Sequence, residues 1–245
     1  MVVNVDTISQ GRRGTGWEHS VHSRVPIAKR LFDILLSLLL LVLALPIMVM
    51  IWVLVRLVDG KPVIYEARRM KAPGKRFTAW KFRTMSNGSG PEVGVSGGDK
   101  KHRITRLGRK LRRTRLDELP QLFNVLIGDM SFVGPRPPAR RYVRMFPDLY
   151  SEVLLCRTGI TGLATVMFHS HEEWLLRDCK SAKQTEAVYV RRCIPRKARL
   201  DRIYRDNWSV WLDLYLLYLT AGKLLPLPGR RLNRLKSKSK RISAP

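Results

Sequence analysis

The feature that most constrains this chain is an apolar segment near its N-terminus, residues 34–55. Its sequence, ILLSLLLLVLALPIMVMIWVLV, contains one polar residue, Ser37. As an α-helix at about 1.5 Å per residue it would extend roughly 33 Å, enough to cross the hydrocarbon core of a bilayer. A signal peptide is disfavoured because the segment is long and no small-residue cleavage site follows it. We therefore expect a membrane-associated protein.

The two flanks of this segment are both basic. Before it stand Lys29 and Arg30, and after it stand Arg56, Lys61, Arg68, Arg69 and Lys71. Because Lys and Arg collect on the cytoplasmic side of a span, the flanks favour opposite orientations of a spanning helix. Pro46 lies near the middle, where a proline removes one backbone hydrogen bond and bends a helix. A kinked spanning helix and a re-entrant helix broken at Pro46 both fit this pattern.

Positive charge dominates the rest of the chain as well. Lys and Arg number 46 against 19 Asp and Glu, which gives a formal net charge of +27. Such an excess predicts polyanionic partners, namely nucleic acid, an anionic membrane surface or phosphorylated substrates. The early Arg12, Arg13 and Arg24 would resist translocation, so the re-entrant form is favoured. Cys156, Cys179 and Cys193 form no CxxC pattern, which fits a reducing compartment.

Composition and periodicity divide the chain into four regions. Residues 1–24 are predicted as a flexible leader, 25–60 as the re-entrant membrane helix, 61–228 as a cytoplasmic catalytic domain and 229–245 as a basic disordered tail on anionic lipid. The expected fold is mainly α with a small β-hairpin.

Within the third region, the hairpin is predicted from strand-like residues at 63–65 and 77–82 around a turn at 71–74. A Gly/Ser loop is expected over 86–99. Helical spacing is found over 103–127, 139–155 and 172–206, with Pro195 as a breaker, whereas 128–138 is expected to be irregular. Residues 207–225 are rich in Trp and Tyr and predict either an amphipathic helix at the membrane interface or a core helix.

A basic run from Lys100 to Arg115 contains no acid and is followed at once by Asp117 and Glu118. One interpretation makes the two carboxylates local counter-ions in a first helical turn. The other is phosphate chemistry, in which arginines bind phosphates and Mg²⁺ takes one or two carboxylates. Adjacent carboxylates point in different directions on a helix, so one can attack phosphorus while the other holds the metal.

Four motifs resemble the bacterial sugar transferase family, the monotopic phosphoglycosyl transferases that start glycan assembly on a polyprenyl carrier. They are K-R-L-F-D at 29–33, K-F-R-T-M at 81–85, the block R-I-T-R-L-G-R-K-L-R-R-T-R-L-D-E-L-P-Q-L-F-N-V-L-I-G-D-M-S-F-V-G-P-R-P at 103–137 and, more loosely, G-I-T-G-L-A at 159–164. The 103–137 block is long and nearly free of gaps, and the resemblance extends from about Lys29 to Leu225.

The resemblance implies a specific reaction. Family members transfer a sugar-1-phosphate from a UDP-sugar to undecaprenyl phosphate and release UMP in a ping-pong course. Asp117 would be the nucleophile that forms a covalent phosphosugar intermediate, and Glu118 would bind Mg²⁺, with Mn²⁺ as an alternative. The substrate and phosphate contacts implied are Arg112, Arg136, Lys81, Arg83 and Gln121. The implied anchor is a re-entrant helix bent at Pro46, in the bacterial inner membrane with the catalytic domain on the cytoplasmic face.

Some questions stay open at this point. The run Thr165–His169 departs from the family pattern, so the motifs do not identify the residues that select the sugar. His169 and His171 are disfavoured as metal ligands because their i, i+2 spacing on a helix points them apart. The alternative function is a membrane-tethered adaptor that binds polyanions without catalysis, although no nucleic-acid-binding motif is found. The UDP-sugar and the oligomeric state, including a homo-oligomer, are left undecided.

Overall fold

The computed structural model describes residues 26–86 and 98–224. Its elements, in chain order, are α1 (Ile27–Val58), β1 (Ile64–Ala72), β2 (Lys75–Phe82), α2 (Arg106–Thr114), α3 (Gln121–Ile127), β3 (Ser131–Val133), α4 (Arg140–Met145), α5 (Pro147–Val153), β4 (Gly159–Thr161), α6 (Leu163–Arg177), α7 (Ala182–Val188), α8 (Ile194–Asp206) and α9 (Val210–Leu224). Short 3-10 helices cover Gly98–Arg103 and Leu116–Glu118, and a π-helical turn covers Tyr189–Cys193. This part of the chain is mainly helical with a small antiparallel hairpin, as predicted.

The apolar segment forms the middle of α1, and one stripe of this helix packs against the rest of the protein along its whole length. Fully buried positions recur through the stripe at Lys29, Asp33, Ser37, Met48, Ile51 and Val55, and partly buried ones fill its middle at Leu36, Leu40, Leu41 and Ala44. The opposite face exposes leucine, valine and tryptophan side chains. Both ends of α1 are therefore attached to the same body, and its outer face is left apolar.

Pro46 lies inside α1 and does not end it. The predicted break at this residue is therefore not an interruption of the helix. A proline removes one backbone hydrogen bond, but the helical turns on either side can continue. In the residues that the structure describes, α1 is the helix long and apolar enough to cross a membrane by length and composition.

The first turns of α1 are held by a buried polar network. Lys29 Nζ is ion-paired with Asp213 of α9 and donates to the carbonyl of Val133 at 3.0 Å. Tyr204 donates to the same carboxylate at 2.7 Å, and Trp208 Nε1 donates to it at 3.1 Å. Asp213 is thus fully compensated, which explains how a carboxylate is accommodated in an otherwise apolar helix.

Two further residues of the same motif attach α1 to its neighbours. Arg30 donates to the carbonyls of Val125 and Leu126, both at 2.7 Å, and so caps the C-terminal end of α3. Asp33 accepts bonds from the Ser131 hydroxyl at 2.9 Å and the Phe132 amide at 3.2 Å. The motif at 29–33 is therefore the clamp that joins α1 to α3, β3 and α9.

The hairpin of β1 and β2 separates two environments. Tyr65 pairs with Lys81 on one face, while Glu66 pairs with Trp80 and Ile64 with Phe82 on the other. Asn124 of α3 fixes the ribbon, because its side chain bonds to the Trp80 amide at 3.1 Å and the Thr78 carbonyl at 2.8 Å. The sequence predicted this hairpin, although β1 extends further than expected.

Two other predictions about secondary structure were wrong. Residues 131–133, predicted as irregular, form a buried strand that pairs in parallel with Gly159–Thr161. The pair is so close that a Cβ on Gly134 would lie 2.1 Å from the Arg157 carbonyl oxygen, so glycine is required there. Pro195 does not break a helix but stands in the first turn of α8, where its missing amide is not needed.

Helix α9 combines the two interpretations offered for residues 207–225. Asp213 and Leu216 are buried against the core, whereas Trp211, Tyr215 and Tyr218 are exposed on the outer face. The expectations for 1–24, for 229–245 and for most of the loop at 86–99 lie outside the described residues.

We predict that the buried ion pair of Lys29 and Asp213 stabilises the fold. Lys29→Met leaves Asp213 as an uncompensated buried charge, so the free energy of unfolding should fall by about 3–5 kcal/mol. Denaturant unfolding of the detergent-solubilised protein measures this loss. The matched control is Asp178→Asn, which removes an exposed ion pair with Arg177 and should change stability by less than about 0.5 kcal/mol. Equal effects of the two variants would contradict the prediction.

Candidate functional site

The two adjacent carboxylates lie in a tight turn between α2 and α3. Arg115 ends α2 in the left-handed region, with φ 58° and ψ 12°, and the 3-10 helix Leu116–Glu118 follows. This conformation is unfavourable for a residue with a side chain and is retained where the surroundings require it. The reversal buries Asp117 and Glu118, which are 8% and 7% exposed.

Helix α2 is positioned by its first turn. Thr105 caps it by accepting a bond from the Gly108 amide at 2.8 Å, and the same hydroxyl donates to Asp59 at 3.0 Å. Gly108 rests directly on Thr84, since a Cβ there would lie 2.2 Å from the Thr84 carbonyl oxygen. This close approach lets Arg112 donate from Nε to the Thr84 hydroxyl at 2.8 Å.

Glu118 is the centre of a charge cluster assembled from three parts of the chain. Lys81 of β2 lies 2.6 Å from its Oε1, Arg136 lies 2.5 Å from the same atom, and Arg115 lies 3.9 Å away. Burial alone would raise the pKa of Glu118, but Arg136 and Lys81 outweigh it and hold that pKa well below its usual range. Glu118 is therefore an anion at every physiological pH.

Asp117 has a different environment although it is the next residue. Burial, and then repulsion by Glu118, raise the pKa of Asp117, while Lys81 and Arg112 oppose the rise. Its Oδ1 atom is buried and no hydrogen-bond donor reaches it from the part of the chain described. A buried carboxylate oxygen without a donor is poorly stabilised, so Asp117 is the less stabilised of the two carboxylates.

The cations around the dyad respond to the same burial. The pKa of Lys81 is lowered to about 8 by burial and by repulsion from Arg136, against the attraction of Glu118. The pKa of Arg136 is raised, chiefly by Glu118. Burial lowers the pKa of Arg112, and Asp117 partly restores it. The predicted residues Lys81, Arg112 and Arg136 are thus brought together with the dyad, and Gln121 lines the same cavity.

Arg83 is bonded to the end of α1 in addition to lining the cavity. Its guanidinium donates to the carbonyls of Lys61 at 2.9 Å and Gly60 at 2.8 Å, and it also bonds to the Asp59 carbonyl. These bonds hold the chain just after α1, and Arg83 also lines the cavity, so its contact with phosphate stays a prediction. Arg83 is only two positions after Lys81 in the sequence, but β2 ends at Phe82, between the two residues.

The dyad opens into a cavity of about 1320 Å³ that extends to α6 and α8. Beyond the predicted residues, it is lined by charged and polar side chains that sequence reasoning did not assign, among them Arg69, Arg115, His169, Glu172, Tyr189 and Lys197. Arg115 stands in the basic run before the dyad and could have been found there. The residues of α6 and α8 carry no such signal, because only the tertiary fold brings them to this cavity.

The histidines of α6 have separate partners. His169 lines the cavity and lies 3.2 Å from Glu173, and its pKa is lowered to about 4 by burial and by Arg115 and Arg136. It is therefore neutral at physiological pH. His171 faces Arg196 at 3.1 Å and stacks on Trp174.

The dyad fits a divalent cation. Lys81 and Arg136 both bond to a single oxygen of Glu118, and Asp117 Oδ1 has no donor among the described residues, so carboxylate oxygens remain for a metal. Within residues 26–86 and 98–224, no group of three or more His, Cys, Asp and Glu could hold a metal without other ligands. Substrate phosphate and water would have to complete the shell, which is the usual arrangement for Mg²⁺.

The chain is similar in sequence to several named proteins. The chain is 35% identical over 200 residues to a UDP-glucose:undecaprenyl-phosphate glucose-1-phosphate transferase of Klebsiella pneumoniae, covering 80% of this chain and 40% of that protein. It is 34% identical over 216 residues to an undecaprenyl-phosphate galactose phosphotransferase of Salmonella typhimurium, covering 82% and 41%.

A third relative is similar in size to this chain. It is an uncharacterized sugar transferase, EpsL, of Bacillus subtilis, with 35% identity over 203 residues that cover 83% of this chain and 90% of the relative. The chain thus spans about two fifths of the length of the first two relatives and nearly all of the third. The family model described as bacterial sugar transferase matches residues 24–226. The chain therefore belongs to the bacterial sugar transferase family.

Proposed function

We propose that this protein transfers a sugar-1-phosphate from a UDP-sugar to undecaprenyl phosphate and releases UMP. The observation that carries the proposal is the buried dyad of Asp117 and Glu118 at the wall of a cationic cavity. The name of the Klebsiella pneumoniae relative supports the same donor and acceptor classes, and the name of the Salmonella typhimurium relative supports the same acceptor. The diphosphate of a UDP-sugar would place its negative charge among Lys81, Arg112 and Arg136.

The reaction would follow two displacements at one phosphorus atom. An oxygen of Asp117 attacks the sugar-proximal phosphorus, the phosphoanhydride bond breaks, and its electron pair leaves with UMP. The acceptor phosphate oxygen then attacks the same phosphorus, and the bond to Asp117 breaks to regenerate the carboxylate. Splitting one displacement in this way is the usual gain from a covalent nucleophile.

The residues around Asp117 suit this role. No hydrogen-bond donor among the described residues stabilises Oδ1 of Asp117. Glu118, in contrast, is ion-paired with Lys81 and Arg136, which makes it a weaker nucleophile. We assign Mg²⁺ to Glu118, whose Oε1 is taken by Lys81 and Arg136, and Mn²⁺ would satisfy the same ligand. When bound, the ion would offset the negative charge that gathers on the phosphates during transfer.

The apolar surfaces of the protein support a lipid acceptor. A groove of about 510 Å³ lies on the face of the hairpin opposite Lys81, and α1, β2 and α3 line it with Met48, Trp52, Trp80 and Phe123 among others. Phe123 is only five residues beyond Glu118, so a prenyl chain in this groove would keep its phosphate near the dyad. Proximity of this kind replaces diffusion from bulk solution.

The same surfaces support a monotopic anchor in which both ends of α1 stay at the cytoplasmic face of the bacterial inner membrane. Both ends of α1 are attached to one domain, through Lys29 at its start and the Arg83 bonds at its end. A helix that crossed the bilayer alone would separate these two attachments. The exposed apolar face of α1 and the aromatic face of α9 would then lie in lipid, with the basic surface against anionic headgroups.

We predict metal-dependent release of UMP that requires Asp117. Nanodisc-embedded protein is incubated with a panel of UDP-sugars, with and without undecaprenyl phosphate and Mg²⁺. Asp117→Asn should lower the rate by at least about 10³-fold, because it removes the nucleophile. The control Asp129→Asn removes a carboxylate that pairs with Lys71, away from the cavity, and should retain activity. Absence of UMP with every donor from folded protein would favour the polyanion-binding adaptor instead.

The pKa values of the site predict a pH profile with two limbs. Asp117 must be ionised to attack, so kcat/KM should fall as the pH decreases through its raised pKa. Lys81 must be charged to hold Glu118 and phosphate, so kcat/KM should also fall as the pH rises through about 8. In Lys81→Arg the guanidinium keeps its proton, and the alkaline limb should move to higher pH. Lys71→Arg is the matched control and should leave the profile unchanged.

If the alkaline limb does not move in Lys81→Arg, the ionisation that causes it belongs to a group other than Lys81. The measurement is kcat/KM for UMP release between pH 5 and 10, because this quantity reports ionisations of the free enzyme.

A further inference from the structure

The end of the cavity away from the dyad contains a second polar cluster, formed by α6, the π-helical turn and α8. Lys197 Nζ lies 3.0 Å from Oε2 of Glu172 and 3.4 Å from the hydroxyl of Tyr189. The side chains of Glu172 and Lys197 are each 17% exposed, and that exposure is to the cavity. The proposed transfer does not use any of these residues.

This cluster adjoins the phosphate end of the same cavity. Arg136, which bonds to Glu118, also experiences the negative charge of Glu172, and Tyr189 experiences the positive charge of Arg136. A donor whose phosphates contact Arg136 would therefore extend its next group toward Glu172 and Lys197.

The charge of the cluster indicates what that group is. Glu172 is a carboxylate, and carboxylates repel phosphate, so this end of the cavity is unsuited to the nucleotide phosphates. The Glu172 carboxylate is ion-paired with Lys197. A carboxylate in such a pair still has lone pairs that can accept hydrogen bonds from hydroxyl groups. Asp201 lines the same region, and burial raises its pKa to about 7 although Lys197 opposes the rise. A second anionic substrate group would meet the carboxylate of Glu172 here.

We propose that Glu172 and Lys197, with Tyr189 and Asp201 beside them, form the subsite for the sugar ring of the donor and select an uncharged hexose or N-acetylhexosamine over a hexuronic acid. This inference rests on the proposed function and adds the residues that choose the substrate. Glu172 accepts bonds from ring hydroxyls, and Lys197 donates to a ring or acetamido oxygen. These are positioning contacts to the sugar and take no part in the displacement at phosphorus.

The test compares donors that differ only in the sugar. Steady-state kcat and KM are measured for UDP-glucose, UDP-galactose, UDP-N-acetylglucosamine and UDP-glucuronic acid, together with inhibition by UMP. The variants are Glu172→Gln and Lys197→Met, with Lys197→Arg as a second variant that keeps the charge. The control is Glu186→Gln, which loses the bonds of a partly buried carboxylate to Arg141 and Tyr142 and does not line the cavity. Thermal unfolding of each variant identifies any loss of fold.

We expect the ratio of kcat/KM between the best and second-best neutral donors to change at least about tenfold in Glu172→Gln, since polar contacts to a substrate hydroxyl give discrimination of this size or greater. Inhibition by UMP should stay within about twofold of the wild type, and Glu186→Gln should leave the ratio unchanged. UDP-glucuronic acid should be the poorest donor for the wild type.

Three results would overturn the inference. An equal loss of kcat/KM with all donors would give the cluster a structural role. Weaker inhibition by UMP with an unchanged donor ratio would mean that the cluster contacts the ribose. Preference of the wild type for UDP-glucuronic acid would contradict the charge argument. A wild-type protein that releases no UMP from any donor would instead contradict the proposed function. In that case donor binding measured by calorimetry still tests the subsite.

Discussion

The site depends on the compensation of one buried carboxylate. Glu118 can stay ionised beside Asp117 only because Lys81 and Arg136 bond to it, and these two cations come from the hairpin and from the segment after β3. Removing either partner would leave a buried charge that is costly to retain. The hairpin, the α2–α3 turn and the β3–β4 pair must therefore all be in place before the dyad exists. Compensating Glu118 also leaves Asp117 as the less stabilised of the two carboxylates.

A second constraint is the attachment of the apolar helix. The clamp at Lys29, Arg30 and Asp33 joins α1 to α3, β3 and α9, and α3 begins three residues after Glu118. The helix is thus a wall of the domain along its whole length, as well as an apolar surface. The hairpin separates a polar cavity from an apolar groove. The phosphate of an amphiphilic acceptor could therefore lie on one face of the hairpin and its prenyl chain on the other.

Much of this could be predicted from the sequence. The strand-like residues at 63–65 and 77–82 and the turn at 71–74 predicted the hairpin, and the adjacent carboxylates after a basic run predicted the dyad. The strand at 131–133 was missed because three residues are too short to show a period, and its pairing is with residues near 160. The bonds of Arg83 could not be predicted, because the carbonyls that it contacts, after α1, are near it only in the fold. Glu172 and Lys197 were missed for the same reason, since α6 and α8 converge on the cavity through tertiary packing.

The central claim is that Asp117 carries the phosphosugar between donor and acceptor, and it is tested most directly without any acceptor. Purified protein is incubated with Mg²⁺, a UDP-sugar that supports turnover and labelled UMP, and undecaprenyl phosphate is left out. The account predicts that label enters the UDP-sugar and that the mass of the protein increases by one sugar phosphate, located on the peptide that contains Asp117. Exchange that occurs only when undecaprenyl phosphate is present, with no change in protein mass, would indicate direct transfer and contradict the account.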